Sequence, residues 1–191
     1  MGWVTVIETR DRAPTEPLRI AIEDFRQVSK LGSARVLSLL TDAYLRTGDL
    51  EEASRALDQA FDSRNEERLF DAELFRQRAS ILQIPAATKR AKPGRHPEAE
   101  ELLERAIDIA SNQGSRLFGL RATVDLCRLW SSAGKRKEAR QRLSAALTDF
   151  SEGFDEFDLR VARDLLDELS TRDQDLQTRK RRAKDTKSRM G

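Results

Sequence analysis

The sequence predicts an all-α fold assembled from repeated pairs of helices, and three observations carry that expectation. Residue usage favours helix over sheet: 36% of the residues are charged and 38% hydrophobic, only 6% are aromatic, and Gly and Pro number 9 and 5 in 191 residues. A spacing of small, large and small apolar residues, at offsets of four and then three, recurs at Ala21/Phe25/Val28, Ala53/Leu57/Ala60, Ala99/Leu103/Ala106 and Ala139/Leu143/Ala146. In a helix those offsets put all three side chains on one stripe, the small ones admitting a neighbouring helix and the large one filling the gap. Finally, Gly48 and Gly134 each stand between two helical stretches, where a left-handed backbone ends the first helix at low cost.

The elements follow in order. Residues 1–16 read as an irregular strip. Its apolar run from Trp3 to Ile7 is too short for a signal-peptide core or a membrane span. Val6 stands where a myristoylation signal needs Ser or Thr. A helix is expected over Pro17 to Leu31, followed by a paired helix carrying Leu37, Leu40, Thr41 and Tyr44. After the turn at Gly48, Asp49 is placed to cap the helix of Ala53, Leu57 and Ala60, with Glu52 as its capping-box partner. Phe75, Ala79 and Leu82 form the apolar stripe of the next helix, which Pro85 should stop. The insertion from Pro85 to Pro97 replaces a short turn, and Pro97 suits the first position of the helix that follows. Leu126, Cys127 and Trp130 then precede the last small–large–small stripe, and a final helix runs from Leu159 to Leu169.

The chemistry of catalysis is not visible. His96 is the only histidine, sits between Arg95 and Pro97, and has no nearby second ligand for a metal or acid–base partner. Cys127 is the only cysteine, which excludes an intrachain disulfide and fits a reducing, cytoplasmic setting. It occupies a small-residue position of a helix and reads as core. No cofactor is expected, and no catalytic residue is identified.

The residues Leu37, Leu40, Thr41, Tyr44, Gly48, Ala53, Leu57 and Ala60 stand at the spacing of the tetratricopeptide consensus, and the chain resembles that family. A narrower resemblance covers about Gly2 to Ser170. It rests on Asp71-Ala-Glu-Leu-Phe-Arg76, Ala99-Glu-Glu-Leu-Leu-Glu-Arg-Ala-Ile-Asp-Ile-Ala110, Leu120-Arg-Ala-Thr-Val-Asp-Leu-Cys-Arg-Leu129 and Glu152-Gly-Phe-Asp-Glu-Phe-Asp-Leu159. These stretches are similar to the C-terminal repeat region of bacterial multidomain signalling proteins, in which a nucleotide cyclase or DNA-binding domain and a P-loop ATPase come first. The resemblance implies a right-handed α-solenoid of helical hairpins over residues 17–170 with a C-terminal capping helix. It implies a non-catalytic, cytoplasmic protein-interaction scaffold, a fragment or stand-alone remnant of a cyclase–ATPase regulator. No Gly-x4-Gly-Lys-Ser/Thr loop is present, so the ATPase itself is not carried by this chain.

Two surfaces are candidates for binding. In tetratricopeptide arrays the first helix of each pair lines a concave groove. By that correspondence the groove residues are Arg35, Asp42, Arg46, Glu73, Arg76, Arg121 and Arg128. They would present a mildly basic surface able to grip the carboxylates of an acidic peptide, or they are ordinary solvated helix charges. Residues 171–191 differ in kind: eight basic residues stand against three acidic ones, while the whole chain carries a net charge of +2. With so little to bury, this tail is expected to be disordered. Its cluster Arg179, Lys180, Arg181, Arg182 and Lys184 could meet nucleic acid or an anionic surface through counterion release, or serve only solubility. It lacks aromatics for base stacking, which makes nucleic acid the weaker partner.

Overall fold

The computed structural model describes residues 20, 33–63, 68–84, 96–153 and 156–171, and all facts below concern these. The strip 1–16, the helix expected over Pro17 to Leu31 (apart from Ile20), most of the insertion after Pro85, and the basic cluster Arg179, Lys180, Arg181, Arg182 and Lys184 lie outside the described residues. Among the described residues the secondary structure is helical and includes no strand, so the all-α class stands. The helices are α1 (Ser33–Thr47), α2 (Leu50–Asp62), α3 (Asp71–Gln83), α4 (Pro97–Asn112), α5 (Arg116–Ser132) and α6 (Arg136–Leu147). A further helix, α7, spans 157–171. The chain divides into two compact units, and the boundary falls inside α5 between Ala122 and Thr123.

In the first unit α1 packs on α2, α3 packs on α4, and α3 also rests against both α1 and α2. The stripe predicted for α2 is the stripe it buries: Ala53, Leu57 and Ala60 have no exposed surface. They join Leu37, Leu40 and Tyr44 of α1 and Leu74 of α3 in one core cluster. Thr41 is buried beside them without cost, because its hydroxyl donates to the Leu37 carbonyl at 2.8 Å. On α4, Ala99, Leu103 and Ala106 are likewise fully buried. Gly119 of α5 lies close enough to α4 that an added Cβ would stand 3.6 Å from the Ala110 Cβ.

The turn after α1 is built as its glycine requires. Gly48 has φ +80°. Its N–H donates to the Leu45 carbonyl and the Asp49 N–H to that of Tyr44, a Schellman closure that satisfies the helix end. The same two hydrogen bonds recur at Gly134, as expected, and at Gly114 between α4 and α5.

Three local expectations are corrected. Asp49 stands at the N-cap of α2 but makes no side-chain capping bond, its backbone lying at φ −88° and ψ 77°. Glu52 instead accepts from Arg55 at 2.5 Å, and Arg55 also holds Glu51. A guanidinium one turn away outcompetes a backbone N–H for that carboxylate. The stripe expected for α3 holds at Ala79, which is fully buried, but not at Leu82: Phe75 is half-buried, Leu74 is fully buried, Ile81 packs on the core, and Leu82 is 37% exposed. Residues 74 and 81 are seven apart and share a face, which turns Leu82 outward. Ala146, the last member of its stripe, is half-buried. The helix ends agree with expectation: α3 stops at Gln83, with Ile84 extended (φ −83°, ψ 117°) before Pro85, and α4 opens on Pro97.

In the second unit Leu126 and Cys127 of α5 and Ala139 and Leu143 of α6 are fully buried. The Cys127 thiol donates to the Ala139 carbonyl at 3.2 Å, so it packs as a small core residue. Trp130 is half-buried, with the Lys135 ammonium 5.6 Å from its ring centroid. Leu159, Ala162, Leu165 and Leu169 form the buried stripe of α7, at helical spacing.

Candidate functional site

Five of the seven groove candidates meet in one ion network within the first unit. It begins with two buried polar residues that orient the helices. Gln77 of α3 and Ser38 of α1 exchange two hydrogen bonds: the Gln77 amide donates to the Ser38 carbonyl at 2.8 Å, and the Ser38 hydroxyl donates to the amide oxygen at 3.2 Å. This brace sets α3 against α1, so that Asp42, one turn beyond Ser38, faces the side of α3 that carries Arg76.

The network then runs through charge. On α1, Arg46 donates to Asp42 at 2.8 Å, an i,i+4 pair. On α3, Arg76 grips Glu73 with two parallel bonds, Nε to Oε2 at 3.0 Å and Nη2 to Oε1 at 2.7 Å. Across the helices, Arg76 Nη2 lies 3.5 Å from Asp42 Oδ1. Arg121 of α5 brings its Nη1 to 3.8 Å from Glu73 Oε1. Glu73 is the most withdrawn member, its side chain only 6% exposed, and Arg76 follows at 12%. Such a pair is held at the expense of desolvation, which the bidentate geometry and the added partners offset.

The remaining two candidates are placed elsewhere. Arg35 is exposed in the first turn of α1 and makes none of these contacts. Arg128 lies in the second unit, exposed, with Asp125 at 3.3 Å. The face formed by α1, α3 and the start of α5 therefore does not present a row of unpaired arginines. Among the described residues the network joins the Arg46, Arg76 and Arg121 guanidiniums to the Asp42 and Glu73 carboxylates. An entering carboxylate would have to compete with Glu73 and Asp42 for donors that are already oriented.

The sequence held partial signals for this site. Asp42/Arg46 and Glu73/Arg76 have the spacing of helical ion pairs. Gln77 carried a subtler one, a polar residue between the apolar Leu74 and Ile81 on a stripe that must be buried. Phe70 and Phe118 were missed altogether. They flank the network with ring centroids 5.9 Å apart, and the Arg121 guanidinium stands 6.0 Å from the Phe118 ring.

Among the described residues no group of three or more His, Cys, Asp or Glu could hold a metal ion, and no helix is long and apolar enough to cross a membrane. His96 is half-buried at the N-cap of α4, where its carbonyl accepts from the Glu100 N–H at 2.9 Å. Comparison with protein-family models, with curated proteins and with solved structures returns no match.

Proposed function

We propose that the chain is a non-catalytic protein-interaction module of the tetratricopeptide type, a cytoplasmic scaffold in a bacterial signalling system of the cyclase–ATPase kind. One observation carries the reading: α1, α3 and α5, which the repeat reading takes as the first helices of successive pairs, contribute charged side chains to a common network running Asp42–Arg76–Glu73–Arg121. A surface shared by successive first helices is what a repeat array offers a ligand. The packing order supports it, since α3 rests on both helices of the preceding pair.

The ligand in this reading is a protein segment, with at least one carboxylate reaching Arg121 or Arg46, the more accessible guanidiniums of the network. No cofactor is needed. The basic tail supports a second reading, association with nucleic acid or another anionic surface through Arg179, Lys180, Arg181, Arg182 and Lys184. The two separate in an affinity capture from bacterial lysate with the full chain at low and raised salt. A scaffold retains a defined set of protein partners at raised salt and loses that set in an Arg46→Ala/Arg121→Ala variant. Capture that disappears with salt, or with nuclease, and ignores both substitutions would replace the scaffold by the tail.

A further inference from the structure

We draw no further inference here: the strongest candidate, the side-chain cluster across α2, α3 and α4 in which Arg78 and Arg105 lie over the rings of the Phe61–Phe75 pair, carries nothing because Arg78 is already held by Asp58 at 2.7 Å and nothing in the structure shows what would cover the cluster.

Discussion

Substitution of Glu73 by alanine strips Arg76 of two hydrogen bonds and removes the carboxylate 3.8 Å from Arg121. Breaking a buried ion pair from one side costs about 3–5 kcal/mol, because the surviving charge stays desolvated. Arg76 is not fully stranded, however: its side chain is 12% exposed and Asp42 remains 3.5 Å away. The expected loss is therefore at or just below the lower end of that range, about 2–3 kcal/mol. For a domain of this size that lowers the melting temperature by about 4–12 °C. Urea denaturation followed by circular dichroism measures it, with Glu73→Ala, Arg76→Ala and a Glu73→Leu/Arg76→Met double variant. The double variant should lose less than the sum of the single ones, since replacing both partners leaves no orphaned charge. A Glu73→Ala loss below about 0.5 kcal/mol, the value of an exposed pair, would refute the argument that this network is held in a low-dielectric setting.

Two further stability measurements test the turns and the register. Gly48→Ala should cost about 1–2 kcal/mol although an added Cβ would meet nothing within 4 Å, since the penalty lies in its φ of +80°. Gly119→Ala, in a helix and at an ordinary 3.6 Å from the Ala110 Cβ, should be neutral or stabilising by up to about 1 kcal/mol. For α3, Leu74→Ala should cost about 2–5 kcal/mol and Leu82→Ala less than about 1 kcal/mol, because only Leu74 is sealed from solvent. Equal effects would restore the register in which Leu82 faces the core.

The helices that the sequence reveals most clearly are those whose pattern is local and redundant. Ala53, Leu57 and Ala60 are readable because four-and-three spacing leaves a helix one way to bury them. Gly48 and Gly134 are readable because few other residues tolerate the backbone they adopt. The pattern in α3 is weaker. Ala79 is buried on either reading, but Phe75 with Leu82 and Leu74 with Gln77 and Ile81 compete for the rest of the face, and the partner that Gln77 needs, Ser38, is 39 residues away. The capping box at Asp49 failed for a local reason, the nearer competition of Arg55 for Glu52.

The charged residues of the network show the same division. The sequence by itself determined the helical class, the stripes of α2 and α4, the glycine turns, the burial of Cys127 and which charges stand on α1, α3 and α5. All of these follow from periodicity and backbone preference within a few residues. What those charges do was decided by tertiary structure. Arg46, Arg76 and Arg121 read as donors awaiting a ligand until Ser38 and Gln77 bring α1 and α3 together and Glu73 is drawn out of solvent between Arg76 and Arg121. Phe70 and Phe118 read as ordinary apolar residues until the docking of α3 and α5 brings their rings to 5.9 Å. A side chain's partners across 39 or 48 residues depend on how whole helices dock, and docking is fixed by the sum of many contacts that no short stretch of sequence contains.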